Sequence, residues 1–264
     1  MKGTIKVIFL RIIKSEISRN LKEFVSYRIG FISDIIVISI IYFSLIFFGS
    51  GTSLGNYYGG SNDSKTLLLL GYVFWNFSIG IVNSLTSELS SEAVKGTLEQ
   101  KFMAVVPISY LILGSALTTL IIEFVEMSLI VFLSVTIAKV GIYVNWIVLL
   151  SLTITLIGMY GFSLILGGIA IKEKKIGNLN FIIQILLLFL TDTVTKTNIP
   201  VELNKIIPLT QGIDIARKSI SGIAITTGDW MSLIGFTVLW LIVGKLIFNY
   251  FVNYSRDNGI LGNY

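Results

Sequence analysis

The sequence predicts an all-α polytopic membrane protein. Six transmembrane helices are preceded by an N-terminal amphipathic interfacial helix, and short re-entrant helices precede the last span. Three observations predict this. Hydrophobic residues form 54% of the chain and charged residues only 13%, against about 25% charged in soluble domains. The mean hydropathy is +0.84. The apolar residues also fall in long blocks, and roughly 20 residues at 1.5 Å each cross a hydrocarbon core of about 30 Å.

The elements follow in order. Residues 1–26 place Ile5, Phe9, Ile12, Ile13, Ile17, Leu21 and Phe24 at helical spacing, with Lys6, Arg11, Lys14, Arg19 and Lys22 interleaved. An apolar face beside a basic one predicts a helix lying in the membrane interface; packing of this helix on a neighbour is the alternative. The segment has no short apolar core with a small-residue cleavage site, so it does not read as a cleaved signal peptide. Six apolar blocks follow at Ile29–Ser50, Thr66–Thr86, Ile108–Ala138, Trp146–Ile171, Ile176–Val194 and Met231–Val252. The third and fourth exceed the minimum length, which predicts tilt or projection beyond the bilayer. Residues 195–230 mix polar positions with Ile206, Ile207, Ile213, Ile215 and Ile220 and are too broken to span. They predict short helices dipping into the outer leaflet.

Orientation follows from Lys and Arg. One side takes Lys2, Lys6, Arg11, Lys14, Arg19, Lys22, Arg28, Lys95, Lys101, Lys172, Lys174, Lys175 and Arg256. The other takes only Lys65, Lys139, Lys196, Lys205, Arg217 and Lys218. The richer side is expected to be cytoplasmic, with both termini on it, in a plasma or inner cell membrane. Tyr72, Tyr143, Trp146, Trp230 and Tyr250 read as interfacial anchors. Gly158, Gly161, Gly167 and Gly168 predict close helix contact, within one subunit or across a dimer.

Composition removes several chemistries. The chain has no Cys and no His, which excludes disulfides, thiolate or imidazole metal sites and histidine-dependent nucleophilic catalysis. No Gly-x-x-x-x-Gly-Lys-Ser/Thr run occurs, and Gly244-Lys245 is followed by Leu246, so no P-loop can cradle a nucleotide. Asp34 and Asp192 fall near opposite membrane faces, which disfavours a paired-aspartate hydrolase. An enzyme is not expected, and neither is a cofactor or metal on this chain.

The segment 87–107 is a charged, helix-capable strip between the second and third spans, with Gly96 allowing a bend and Pro107 where a helix can begin. It contains Glu92, then Gly96-Thr97-Leu98-Glu99-Gln100, Val106-Pro107-Ile108-Ser109 and Leu113-Gly114. These elements resemble those of the ABC type-2 transporter permeases, the membrane subunits of ATP-binding cassette exporters. Ile207-Pro208-Leu209-Thr210 with Asp214-Ile215-Ala216-Arg217 is similar to the family's stretch before the last span, with Ile207 where the family has Asn. The tail Asn258-Gly259-Ile260-Leu261-Gly262-Asn263-Tyr264 resembles an ending seen in some members.

The resemblance implies a coupling helix docked in a groove of a cytosolic ATPase, through Glu88, Glu92, Lys95, Gly96, Thr97, Leu98, Glu99 and Lys101. It implies ATP and Mg on that partner, and a second permease copy or a related permease completing a homodimer or heterodimer. The cargo is then a drug, lipid, peptide or glycan.

Glu123 and Glu126 lie near the middle of the third span, three apart and so on one face. A charge at the bilayer centre costs about 2.5–3.5 kcal/mol on insertion scales, so both are expected to face protein or water. They read either as the lining of a translocation path or subunit interface, or as a hydrogen-bonded packing pair with Trp75, Asn76 and Asn83 as neighbours. A secondary transporter or channel using them as a proton or cation relay is the alternative function.

Overall fold

The computed structural model describes residues 2–26, 28–49, 51–58, 64–103, 108–174, 176–196 and 203–259. Side chains are described within these except at 2–10, 12, 23, 24, 108–111 and 203. The expected helix start at Pro107 and the tail from Ile260 onward lie outside the described residues, as do the side chains of Ile5, Phe9, Ile12 and Phe24.

Among the described residues the regular elements are all helices. The chain runs through α1 (Lys2–Ser26), α2 (Arg28–Phe47), a short α3 (Thr52–Tyr58) and α4 (Ser64–Lys95). It continues through α5 (Leu98–Met103), α6 (Ile108–Ala138), α7 (Trp146–Glu173) and α8 (Leu179–Leu190). A 3-10 turn at Leu203–Ile206 leads into α9 (Pro208–Ser221) and α10 (Thr227–Asp257). Five of these, α2, α4, α6, α7 and α10, are long and apolar enough to cross a membrane. The chain is a multi-pass membrane protein.

The expected fifth span at Ile176–Val194 is shorter than its composition suggested. Its helix α8 holds 12 residues, about 18 Å at 1.5 Å per residue, against a core of about 30 Å. It starts after a turn at Gly177-Asn178 and stops at Thr191, and Asp192 adopts a left-handed φ of 56°. α4, by contrast, has 32 residues, about 48 Å, so it extends past the hydrocarbon by several turns.

α4 is the central post. Its flank from Thr66 to Leu89 is almost wholly buried, and Leu67, Leu68, Tyr72, Phe74 and Val82 are each at most 1% exposed. Tyr72 is therefore no interfacial anchor: its hydroxyl donates to the Ile38 carbonyl of α2 at 2.7 Å. Tyr143, Trp146 and Tyr250 do lie on the exterior. α1 lies along the first turns of α6, where Glu16 packs against Gly114, while Arg11, Lys14, Arg19 and Lys22 stay exposed. α2 leaves Ile29, Ile32, Ile36, Val37 and Ile40 bare, the outward apolar face of a helix bathed in lipid.

α7 and α10 form the most extensive helix pairing, and glycine explains it. A Cβ on Gly161 would lie 2.5 Å from the Trp240 carbonyl, and one on Gly244 would strike the Gly161 carbonyl. Gly158 leaves room for Pro208 and Thr237, Gly167 for Leu85 and Leu89, and Gly168 for Phe248 and Phe251. The four glycines thus serve contacts within one subunit. Because backbone cannot yield as a side-chain tip does, Gly244→Ala must separate the helices, at a cost of about 1–3 kcal/mol. This exceeds the roughly 0.5–1 kcal/mol that alanine gains over glycine within a helix. Gly235, on the same helix, has nothing within 4 Å of a new Cβ. Thermal unfolding in detergent should show Gly244→Ala melting lower than the parent protein and Gly235→Ala melting at or above it.

Candidate functional site

At one end of the bundle α4 turns into α5 through an elbow. Gly96 takes a φ of 75°, the left-handed conformation that ends a helix cheaply only for glycine. Thr97 then starts α5, its amide donating to the Glu92 carbonyl at 3.1 Å and its carbonyl accepting from the Lys101 amide at 3.0 Å. The Thr97 hydroxyl bonds the Glu92 carboxylate. Lys101 folds back to pair with Glu88 and, at 3.4 Å, with Glu92, and Glu88 also accepts from Ser115 of α6. Leu98 is 2% exposed and packs with Leu85, Leu89, Ala93, Ile112, Ala170, Ile171 and Phe248.

The expected site residues therefore divide. Glu88, Glu92, Thr97, Leu98 and Lys101 hold the elbow together from inside, with Gly96 as its bend. Lys95 and Glu99 point outward, beside Val94 and Met103, which are 67% and 70% exposed. Ser90 adds a hydrogen bond of 2.7 Å to the Lys174 carbonyl at the end of α7, so the elbow is tied to α6 and α7 at once.

Halfway along α6 the Glu123 carboxyl lies over Gly80 of α4, in space that a Cβ there would occupy. Its Oε2 is buried without a hydrogen-bond partner, as is Asn83 Oδ1. Glu126 is 5% exposed, and Asp34 of α2 is within electrostatic reach of both glutamates. Two of the expected neighbours do not serve them. Trp75 donates to the Gln184 carbonyl at 3.1 Å and Asn76 to the Tyr72 carbonyl at 3.1 Å. Toward the elbow, a cleft of about 320 Å³ separates α1, α4 and α6, lined by Arg19, Ser84, Ser87, Glu88, Ser115, Thr118 and Thr119 among others.

At the opposite end lies a cluster that sequence reasoning missed. Arg217, counted as a surface charge, is fully buried. Its Nε donates to the Leu67 carbonyl at 3.0 Å, and its Nη atoms donate to the Asp192 and Thr193 carbonyls at 2.5 and 2.7 Å. Gly71 leaves room for the guanidinium. Around it runs a chain of alternating charge. Lys196 pairs with Asp192 (3.1 Å) and Asp214 (3.5 Å), and Lys218 pairs with Asp214 (2.8 Å) and Asp229 (2.9 Å). Tyr58 donates to Asp214 at 2.7 Å, and Asp229 caps α10 jointly with Thr226. The available signal was Asp214 and Lys218 at i,i+4, with Arg217 set among Ile213, Ile215 and Ala216. α9 packs against α4, α7 and α10, buried from Pro208 through Arg217 apart from a half-buried Asp214.

The sequence profile of the ABC-2 type transporter matches residues 8–221, from α1 to the end of α9. The chain belongs to this family. No curated protein sequence matches it. In this ABC-2 type chain both ends of the profile match fall on packed elements, α1 against α6 and α9 against α4 and α7.

Two outcomes follow for the far cluster. Arg217→Ala leaves its carbonyl acceptors buried and unmet at about 1–3 kcal/mol each, so the midpoint of thermal unfolding should fall steeply, while Arg217→Lys should recover only part. Burial alone would raise the carboxyl of Asp214, but hydrogen bonds from Lys218 and Tyr58 hold it below the ordinary range. Carboxylates depressed in the folded state stabilise it above the unfolded value of about 3.9 and lose that contribution as pH falls through the folded value. The loss of stability between pH 6 and pH 3 should therefore be smaller in Asp214→Asn than in the parent protein.

Proposed function

We propose that this chain is the permease subunit of an ATP-binding cassette exporter. It forms the translocation path for a drug, lipid, peptide or glycan, and a separate cytosolic ATPase that carries ATP and Mg supplies the energy. Family membership makes it a membrane transport component, and the elbow is the observation that carries the rest. An exposed Val94, Lys95, Glu99 and Met103 are mounted on a base fixed by Glu88, Glu92, Thr97 and Lys101. Among the described residues neither Lys95 nor Glu99 has an ion-pair partner, so both charges are available to another protein. Such a platform suits a lever: apolar tips for affinity, free charges for register, and a stapled base that passes displacement into α4, α6 and α7.

On this reading the elbow faces the cytoplasm with both termini, in the plasma or inner membrane. A second copy or a related permease completes the unit. The carboxylates of α6 line the path between the two halves.

Co-expression with a cassette ATPase tests the reading. Exposed charge pairs are worth about 0–1 kcal/mol each, so Glu99→Lys or Lys95→Glu should weaken co-purification a few-fold without changing thermal stability. Combined reversal should weaken it further, and complementary reversal on the ATPase should restore it. Glu92→Lys should instead lower stability, since it breaks the staple. Uptake by vesicles that hold the permease alone, driven by a proton gradient, would replace this reading with the carboxylate relay of a secondary transporter.

A further inference from the structure

Hydrogen-bonding capacity is unevenly spent in the cleft between α1, α4 and α6. All four carboxylate oxygens of Glu88 and Glu92 already hold donors, from Lys101, Ser115 and Thr97. Ser84, Thr118 and Thr119 place their protons on carbonyls of their own helices, at 2.9, 3.0 and 3.1 Å. What stays unspent at the elbow end is N–H and O–H. The side chains of Asn20, Ser87 and Ser91 line the cleft and make no hydrogen bond among the described residues. Arg19 gives one contact to Glu16 at 2.9 Å and its side chain is 54% exposed, which leaves most of its five N–H groups open. Ser87, Ser91 and Lys95 recur every fourth residue, so they stand on one face of α4 over about 12 Å.

Within the cleft and its immediate pairs the charges balance, Arg19, Lys95 and Lys101 against Glu16, Glu88 and Glu92. The exposed face of α1 beside it does not balance. A groove of about 520 Å³ there is lined by Arg11, Lys14, Arg19 and Lys22 with Ser15 and Ser18. Arg11, Lys14 and Lys22 have no ion pair among the described residues. Arg19 belongs to both hollows, so the unspent donors border uncompensated positive charge. A phosphate group answers both: its ionised oxygens accept charge-assisted hydrogen bonds from guanidinium, amide and hydroxyl alike. Two apolar features point to a lipid as its carrier. On α1, Ile17, Leu21 and Val25 form a stripe flanked by Lys14 and Lys22, the pattern of a helix that meets acyl chains below anionic headgroups. On α6, one and two turns beyond Thr118, Ile121 and Val125 are 44% and 45% exposed, on the edge next to the cleft.

We propose that this cleft holds the phosphate of an anionic phospholipid through Arg19, Asn20, Ser87 and Ser91, with an acyl chain against Ile121 and Val125 of α6. α1 packs extensively on α6 but not on α4, and a phosphate shared by Arg19 and the two serines bridges that gap. The lipid is a resident ligand and not the cargo, so the site is independent of the permease reading.

The test needs no ATPase and leaves Lys95 unaltered, so its failure is separable from failure of the docking reading. The full chain in dodecyl maltoside micelles is titrated with fluorescently labelled phosphatidylglycerol, and with labelled phosphatidylcholine and diacylglycerol as comparators. Saturable binding of phosphatidylglycerol is expected, about tenfold tighter than that of either comparator. Ser87→Ala with Ser91→Ala, which changes no charge, should weaken it several-fold, and Arg19→Gln should weaken it about tenfold. Lys139→Gln, an equal loss of charge at the far end of α6, should leave it unchanged. Millimolar inorganic phosphate should not displace the lipid; full displacement assigns the site to free phosphate and overturns the proposal. Equal affinity for phosphatidylcholine or diacylglycerol on the unaltered protein also overturns it, whether or not a variant folds. So does undiminished affinity in a folded double serine variant, or an equal loss in Lys139→Gln and Arg19→Gln.

Discussion

In hydrocarbon every backbone N–H and C=O must find its partner within the protein, and in this fold Arg217 is where that demand is met with most difficulty. α8 ends at Leu190, well short of a full crossing, and Asp192 takes a left-handed turn. The carbonyls of Asp192 and Thr193 then point out of any helix into a packed interior, and a guanidinium fork receives both. A lysine has three donors on a point charge and cannot span the same carbonyls, whereas the planar fork of arginine is already arranged for them. The third bond, to the Leu67 carbonyl, fixes α9 to α4. The broken helix, the buried α9 and the central post thus form one solution to one problem, with Gly71 giving the room it needs.

Much of the membrane fold was legible because it depends on length and hydropathy alone. α6 occupies the expected Ile108–Ala138, α7 starts at the expected Trp146, and α2 and α10 lie within a few residues of their blocks. The short α8 was not legible, because an apolar run reports solubility in lipid and says nothing of where a backbone leaves the helix. The burial of α9 was not legible for the converse reason. Its polar residues break the apolar run, yet Arg217, Gln211 and Thr210 are buried, and Asp214 is bound by Lys196, by Lys218 and by Tyr58, the last far off in sequence. At the elbow the sequence displayed a charged, bend-capable segment between two spans. It did not show which charges are used internally, because the fold-back of α5 at Gly96 decides that: Lys101 meets Glu88 thirteen positions earlier only after the turn.

The packing is unequal across the bundle. α7 and α10 touch backbone to backbone through Gly161 and Gly244, and α4 and α9 lock against α7. α2 rests on α4 and α6 by few contacts, and its Tyr72-bonded carbonyl at Ile38 is a principal tie. The polar cleft lies on this looser side, between α1, α4 and α6, while the stapled elbow bridges both sides through Ser115 and Ser90. The elbow therefore joins a closely packed half of the bundle to a sparsely packed half, and the sparse half borders the cleft.

The sparse packing of α2 also bears on how the polypeptide is made. Translation delivers this helix to the bilayer before α4 and α6 exist, so it must reside among acyl chains on its own hydrophobicity. Its bare isoleucines and valines equip it for that, and Asp34 is its only acidic residue. The carboxyl that later comes within electrostatic reach of Glu123 and Glu126 is thus carried by the one segment that must first survive in lipid unaided.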